Sequence, residues 1–417
     1  MINFAKQLYP IHRSITGKGV RKTLNLIKSK LKNLKIRSYN CGEKVFDWKI
    51  PAEWNITDGY IADLNGRKII NFKENNLRVV SYSTSIKKTL SKKILLNHIY
   101  TIPKRIDAIP YVTSYYKKNW GFCLRHSELN LLKDQKYKVN IQSSFNKNGK
   151  LNYGEYFIKG KSKKEILIYT YICHPQLANN EVSGPTVATY LANYFSKREN
   201  NFSLRFVFAP ETIGAISYIK NNLRTLKKNI IGGYVLTCLG DERNYSFLET
   251  KDKKSLSNII AKEVFKESKI KFKNYSFLKR GSDERQFNSP GVDLPIASIM
   301  RTRYGEYPEY HNSDDNFKIV TNRGLKNSFN IIKRIIEKFN SEIIPIATYK
   351  CEPFLSKRGL YNSIGTGKVN RLDQKLLDFL MYSDGTNRLH EIKKKINLKQ
   401  NEMKIFFNLA KKNKLIL

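Results

Sequence analysis

Three side chains of this 417-residue sequence combine the chemistry to bind a metal ion or move a proton with a position after an apolar, strand-like run. His174 and Glu211 each follow such a run closely, and His311 lies further along, among the carboxylates of the segment 307–315. Imidazole and carboxylate groups are zinc ligands, and a carboxylate that does not bind the ion can deprotonate a water molecule held by it. These residue types therefore indicate a hydrolytic metal site, provided that the fold brings them together.

The surrounding elements predict a fold that would do so. Apolar runs of strand length alternate with helical segments: strands at 165–173, 204–209 and 230–239, helices at 184–195, 213–223 and 256–265. This alternation is typical of an α/β fold with a doubly wound, mostly parallel sheet covered by helices on both faces. Ligands of such sheets bind at the carboxyl ends of the strands. His174, Glu211 and the acidic pair 241–242 are therefore expected at one edge of the sheet.

Each of these residues also has a purely structural interpretation. A single loop histidine is more often structural than a metal ligand. Glu211 precedes a helix, where a negative charge is favoured by the helix dipole. The prediction of a site therefore depends on these residues converging at successive strand ends.

The rest of the chain predicts two further domains. Residues 1–44 and 133–345 are expected to form the α/β core. Residues 45–132 contain short alternating runs with aromatic residues and prolines, which indicates an inserted small β-rich domain. Residues 346–417 predict three short helices and a terminal strand, which is the pattern of a winged-helix-like domain.

Seven longer motifs are spread over nearly the whole chain: Leu8–Gly17, Phe46–Trp54, Tyr115–Cys123, Ile172–Pro175, Pro210–Gly214, Gly281–Gln286 and Tyr307–His311. With these motifs the chain resembles a family of bacterial aminopeptidase-like proteins of undefined function that are associated with polysaccharide biosynthesis. The resemblance implies a sheet of the M28-type zinc-exopeptidase kind, an inserted β domain and a C-terminal winged helix.

The resemblance also implies roles for individual residues. His174 and His311 match histidine ligands of the metal ions, and Glu211 matches the general base that activates water. Asn180 lies where the peptidases have an aspartate that bridges two zinc ions. Asp283 resembles an acidic residue in the loop before the last strand.

Neutral residues stand where those peptidases carry carboxylates. Asn180 replaces the bridging aspartate, and Thr212 and Thr237 lie at or near two further acidic ligands. A neutral amide cannot balance two cations held roughly 3.5–4 Å apart. We therefore expect at most one tightly bound zinc ion, held by His174, His311 and a carboxylate, with Asn180 as a weak oxygen ligand or a supporting donor. Which histidine anchors the ion stays open.

Several side chains near the later motifs are candidates for substrate binding. Arg285 and Arg301 could hold a substrate carboxylate or phosphate through paired hydrogen bonds, with Asp283 and Tyr310 beside them. Structural ion pairs are the alternative for both arginines. The aromatic segment 115–122 either lines a specificity pocket or packs the core of the inserted domain.

The chain is strongly basic, with 76 Lys and Arg against 35 Asp and Glu and a net charge of +41. Because the basic residues are scattered rather than clustered, we interpret the charge as compositional and expect no nucleic-acid partner. The alternative is DNA binding through the basic segments 393–395 and 411–414. No apolar run has the length of a membrane helix, no signal peptide is recognisable, and the five cysteines are widely spaced. A cytoplasmic protein without a membrane partner is expected, and homo-oligomers stay open.

Two functions follow from these observations. The first is a metal-dependent hydrolase that cleaves a terminal amide bond of a small peptide or a modified amino sugar. The second is a binding or scaffold protein linked to polysaccharide biosynthesis, which keeps the exopeptidase fold but has lost the chemistry. Asn180, Thr212 and Thr237 are the residues that favour the second.

Overall fold

The computed structural model describes residues 1–360 and 371–417. The chain forms two compact units, Met1–Ile335 and Ile336–Leu417. In chain order the helices are α1 (Ile2–Leu8), α2 (Lys18–Lys30), α3 (Lys92–Leu96), α4 (Ser183–Phe195), α5 (Ile213–Asn229), α6 (Leu256–Glu267), α7 (Glu284–Phe287), α8 (Asn322–Ser341), α9 (Arg371–Met381), α10 (Leu389–Lys395) and α11 (Gln400–Lys412). None of these helices combines the length and the apolar character that crossing a bilayer requires, as far as the chain is described.

The strands fall into one large sheet and several smaller ones. In chain order they are β1 (Lys35–Asn40), β2 (Lys44–Val45), β3 (Trp48–Lys49), β4 (Glu53–Ala62), β5 (Lys68–Asn71), β6 (Ile86–Ser91), β7 (Ile99–Tyr100), β8 (Phe122–Cys123), β9 (Lys136–Asn146), β10 (Lys150–Ile158), β11 (Ser162–Tyr171), β12 (Phe202–Ala209), β13 (Ile230–Leu236), β14 (Ser246–Leu248), β15 (Lys273–Tyr275) and β16 (Ile296–Met300).

The large sheet has eight strands in the order β1-β10-β12-β11-β13-β16-β14-β15. Its four central strands, β12, β11, β13 and β16, are mutually parallel, whereas β10 and β14 run antiparallel to their neighbours in this group. The central strands are almost continuously buried, as expected for a sheet covered on both faces. The predicted α/β class is confirmed, with a parallel centre and mixed outer strands.

A second, four-stranded antiparallel sheet has the order β5-β4-β9-β6 and its own apolar core around Ile61, Phe122 and Val139. This is the β-rich part predicted from the sequence. Its strand β9 ends at Asn146, whereas the sequence predicts the end of the insertion at residue 132. The next strand, β10, already belongs to the large sheet. The short turn between β9 and β10 gives no compositional sign of a boundary.

The second unit has a small core of its own, formed by side chains such as Phe379, Ile392 and Phe406 from α9, α10 and α11. A bridge between Ala347 and Ile416 brings the chain terminus beside an extended segment. These helices match the three predicted for the winged-helix-like domain.

Candidate functional site

The large sheet brings His174 and Glu211 together because they follow neighbouring parallel strands. His174 comes just after β11 and Glu211 just after β12, so both lie at the carboxyl edge of the sheet. The Nε2 atom of His174 is 3.6 Å from Oε2 of Glu211. The imidazole of His311 lies beside them, with its ring centroid 5.3 Å from that of His174. The structure thus gathers in one place the three residues on which the sequence-based prediction depended.

These three side chains line a cavity of about 360 Å³. The wall is completed mainly by aromatic side chains from the segments 46–54 and 111–116. The lining residues are Ile15, Trp48, Tyr111, Thr113, Tyr115, Tyr116, Cys173, His174, Glu211, Thr212, Ile213 and His311. A cavity with a few convergent polar groups and aromatic walls is the usual form of a small-molecule site. Tyr115 and Tyr116, for which pocket and core roles were both open, border the cavity.

Glu181 fixes the orientation of His174. It lies in a buried π-helical turn, Ala178–Val182, and its Oε2 is 2.7 Å from Nδ1 of His174. Burial disfavours the charged imidazole, but the hydrogen bond and charge of Glu181 prevail and raise the pKa of His174. A carboxylate on Nδ1 directs Nε2 towards the cavity, as the supporting carboxylates of metal-binding histidines do.

A buried arginine supports Glu181 in turn. Nε of Arg13 is 3.7 Å from Oε1 of Glu181, and both side chains are 1% exposed. The Arg13 guanidinium also donates to the carbonyl oxygens of His174 and Leu8. Neither role was predicted from the sequence, although Arg13 lies in the motif Leu8–Gly17. Glu181 directly follows Asn180, so the carboxylate stands one position later than the peptidase pattern requires.

Glu211 is held by the segment 282–285. Ser282 donates a hydrogen bond of 2.9 Å to Oε1 of Glu211, which leaves Oε2 directed at His174. Burial raises the pKa of Glu211, and the nearby His174 and the Ser282 hydroxyl oppose that rise. A carboxyl group with a raised pKa is suited to proton transfer near neutral pH.

Asp283 and Arg285 support the turn that carries Glu211. The amide of Thr212, whose φ of 59° is unusual for a β-branched residue, donates to Oδ1 of Asp283 at 2.8 Å. Arg285 donates to the Thr212 hydroxyl, also at 2.8 Å. Burial and the charge of Glu211 raise the pKa of Asp283 well above its usual range. Neither side chain borders the cavity, and both hold the protein chain around Thr212, so their contact with a substrate stays a prediction.

His311 presents an unused nitrogen. Its Nε2 is buried and has no hydrogen-bond partner among the described residues. Tyr310 stacks on the imidazole with a centroid separation of 3.9 Å, and Tyr111 contacts it edge-on. Burial and the neighbouring His174 lower the pKa of His311 to about 3. The imidazole is therefore neutral at physiological pH and able to act as a metal ligand or a hydrogen-bond acceptor. Tyr310 supports it by stacking on its face.

Asn180 and Arg301 lie outside the cavity wall. Asn180 is buried, and its Oδ1 accepts a hydrogen bond of 3.0 Å from the Tyr171 hydroxyl. Thr237 donates to the main-chain oxygen of Asn180, so these neutral groups interact with one another. Arg301 is also buried and stacks over Tyr245, 3.9 Å from the ring centroid. The guanidinium of Arg301 thus packs against an aromatic side chain away from the cavity wall, and its contact with a substrate stays a prediction.

The donor set fits one zinc ion better than two. The imidazoles of His174 and His311, with ring centroids 5.3 Å apart, are close enough for one nitrogen of each to bind the same zinc at about 2.0–2.1 Å. Oε2 of Glu211, 3.6 Å from Nε2 of His174, lies beside that position and is available as a proton acceptor. His311 contributes a further unpartnered nitrogen. A second ion would need the negative charge that Asn180, Thr212 and Thr237 do not supply. A different trio, Cys173, His174 and Glu181, also has ligand atoms within 4.8 Å of one another, but Glu181 already occupies Nδ1 of His174.

Comparison with solved structures places the larger unit in a known class of fold. A zinc aminopeptidase from Bacillus subtilis is similar over 81% of this chain and 94% of its own, with a TM-score of 0.59 and 13% identity. An M28 peptidase precursor from Shewanella amazonensis matches over 82% and 93%, with a TM-score of 0.57 and 10% identity. The fold is therefore that of the M28-type aminopeptidases, as predicted.

Residues 2–342 match the model of a domain of unknown function, DUF4910, and residues 344–417 match a winged helix-turn-helix. The chain belongs to the DUF4910 family. A Clostridium acetobutylicum protein described as a polysaccharide biosynthesis protein with an aminopeptidase-like domain is 42% identical over 94% of this chain and 89% of its own. A crystal structure of a protein from the same organism, described as a peptidase, is 39% identical and covers 100% of this chain and 95% of its own, with a TM-score of 0.81. The resemblance inferred from the motifs is confirmed.

Proposed function

We propose that this protein is a metal-dependent hydrolase that cleaves a terminal amide bond of a small peptide or a modified amino sugar. The observation that carries the proposal is the 3.6 Å approach of His174 Nε2 and Glu211 Oε2 at the wall of a cavity, with the free nitrogen of His311 beside them. Three groups that can hold an ion or accept a proton thus reach the same small volume. The zinc aminopeptidase with the same fold supports this assignment.

His174 and His311 would hold one zinc ion, which, when bound, polarises a carbonyl group and lowers the pKa of a water molecule. Glu181 keeps a proton on Nδ1 of His174, so that Nε2 is available as a donor atom to the ion. Asn180 lies outside the cavity wall and its Oδ1 accepts a hydrogen bond from Tyr171, so in this proposal it has the supporting role expected from the sequence.

Glu211 is the general base in this proposal. Its Oε2 faces His174 and accepts the proton of the attacking water, while Ser282 fixes Oε1. The same carboxyl group can then return the proton to the leaving nitrogen, for which its raised pKa is favourable. The aromatic side chains of Tyr111 and Tyr115 restrict the access of bulk water and support the substrate.

Two measurements test the proposal. Zinc content after reconstitution should approach one ion per chain, fall in the His174→Ala and His311→Ala variants, and stay unchanged in His390→Ala, a control for an exposed histidine of the second unit. Hydrolysis of a panel of dipeptides and N-acyl amino sugars should fall about 10²-fold or more in Glu211→Gln, as for a lost general base. Zinc that stays clearly below stoichiometric amounts would refute the metal role, and turnover unaffected by Glu211→Gln would refute the role of the base.

A binding or scaffold protein is the second candidate, and the neutral residues Asn180, Thr212 and Thr237 favour it. On that hypothesis the cavity binds a ligand without converting it. Glu211→Gln would then leave ligand affinity and cellular function intact, and no compound of the panel would be hydrolysed by the wild type.

A further inference from the structure

A second cavity of about 440 Å³ lies next to the candidate site. Its apolar wall consists of Phe46, Trp48, Ile216, Ile219, Leu223 and Val292. Trp48 also lines the first cavity, so one indole forms part of both walls. Of the described lining residues only Asp47 is ionisable, and the second cavity is therefore suited to an apolar group rather than an anion.

One face of α5 connects the two cavities. Ile213, at the first turn, borders the cavity with Glu211, whereas Ile216, Ile219 and Leu223 border the second. These residues are three or four positions apart, so they lie on one side of the helix. With a rise of 1.5 Å per residue, the stretch from Ile213 to Leu223 is about 15 Å long, about the span of four extended residues. A substrate held at Glu211 can therefore reach the second cavity with a chain of modest length.

A strained hairpin borders both cavities and contributes aromatic side chains to their walls. Strands β2 and β3 are joined by Phe46 and Asp47, and Phe46 has a φ of 53°, a left-handed conformation that bulky residues rarely adopt. Lys220 on α5 donates to the Lys44 carbonyl oxygen and fixes the hairpin. The Phe46 and Trp48 side chains remain 47% and 42% exposed. Strained backbone positions cluster at ligand-binding sites, and here the strain occurs where two exposed aromatic side chains border a cavity.

We infer that the second cavity binds an apolar group of the substrate and that Phe46 and Trp48 select for it. This inference rests on the proposed function, since it assigns the substrate of the same site. The substrate would be an amide with an apolar extension. Two kinds of compound have this chemistry: a peptide with an apolar residue next to the scissile bond, and an amino sugar with a long acyl chain. The first cavity holds the amide, and the second holds the extension.

Two series of compounds distinguish a peptide substrate from an amino-sugar substrate. One consists of alanylglycine, alanylvaline and alanylleucine, and the other of N-acetyl-, N-butanoyl- and N-hexanoyl-glucosamine. In the series that matches the natural substrate, kcat/KM should rise about fourfold for each added methylene, the gain expected for burying a methylene group. The affinity of the Glu211→Gln protein for the same compounds, measured by calorimetry, should rise in parallel.

Phe46→Gly tests the hairpin without disrupting it, because glycine adopts a positive φ without strain. The variant should lose about tenfold in kcat/KM for the longest compound and keep its activity on the shortest. Leu278→Ser is the matched control, because Leu278 is an apolar side chain that is 83% exposed and borders neither cavity.

Turnover that does not depend on chain length, or an equal loss on all compounds in Phe46→Gly, would overturn the inference and leave the proposed hydrolase intact. Affinity that rises with chain length without any turnover would support the apolar subsite and contradict the proposed hydrolase.

Discussion

Replacement of Glu181 by glutamine should destabilise the larger unit, because it leaves the buried guanidinium of Arg13 without its negative partner. The two side chains are 1% exposed and 3.7 Å apart. At an effective dielectric constant of about 20, their attraction is about 4.5 kcal/mol, and removing one partner of a buried pair generally costs about 3–5 kcal/mol. Arg13 keeps its hydrogen bonds to the carbonyl oxygens of Leu8 and His174. We therefore expect Glu181→Gln to lower the free energy of unfolding by about 3 kcal/mol, at the lower end of that range.

Urea unfolding followed by tryptophan fluorescence measures this loss. The three tryptophans, Trp48, Trp54 and Trp120, all lie in the larger unit, so the signal is independent of the winged-helix unit. Glu309→Gln is the matched control, since Glu309 pairs with Arg243 at 2.8 Å but the arginine is 42% exposed. Solvent screening limits that pair to about 1 kcal/mol or less.

The reasoning would be refuted if Glu181→Gln cost no more than Glu309→Gln. A double-mutant cycle with Arg13→Met adds a second criterion. If the two charges stabilise each other, the double variant should lose less stability than the sum of the two single variants. Strict additivity would show that the proximity of Arg13 and Glu181 has no energetic consequence.

Three further outcomes are expected. Ser282→Ala should move the acid limb of the kcat/KM profile to higher pH, because the Ser282 hydroxyl opposes the burial that raises the pKa of Glu211; an unshifted limb would contradict the role of this hydrogen bond. Hydrogen bonds from Arg21 lower the pKa of Glu53 to about 2 from its usual 4.5. The stability from this pair is therefore complete above about pH 4.5 and is lost as the pH falls towards 2, and acid titration of Glu53→Gln should show a smaller loss in this interval. In Gly233→Ala, the new Cβ would lie 2.1 Å from the carbonyl oxygen of Leu167, so urea unfolding should show a loss of about 1–3 kcal/mol, and an unchanged midpoint would argue against this close strand contact.

The sequence predicted those parts of the site that depend on simple rules of topology. His174 and Glu211 follow neighbouring parallel strands, and the carboxyl ends of such strands share one edge of the sheet. The predicted convergence of these residues needed no knowledge of side-chain conformation. His311 was also expected there because it follows a strand-like run and lies among carboxylates, and the family motif supported that prediction.

The features that the sequence did not predict concern side-chain direction and the course of single loops. Asp283 and Arg285 lie close to the site, as predicted, but their hydrogen bonds to Thr212 depend on the left-handed backbone of that residue, which the sequence does not reveal. Glu181 was missed because consecutive residues of a helical turn point in different directions, and only the π-helical geometry shows that its carboxylate reaches His174. Strand β9 pairs with β4 and β6 beyond residue 132, and only a short turn separates it from β10 of the large sheet, so the sequence has no break at which to place the end of the inserted sheet.

The contact between Arg13 and the segment after β11 has a consequence during synthesis on the ribosome. The hydrogen bond from Arg13 to the His174 carbonyl oxygen spans 161 residues of chain. At about 5–20 residues per second, translation takes roughly 8–32 s to cover that interval. For this time the N-terminal guanidinium has its Leu8 acceptor but lacks both the His174 acceptor and the counter-charge of Glu181, and α1 and α2 lack their contacts with α4. A nascent chain arrested before residue 174 should therefore remain sensitive to proteases in its first 30 residues, whereas one extended well beyond Glu181 should become protected there.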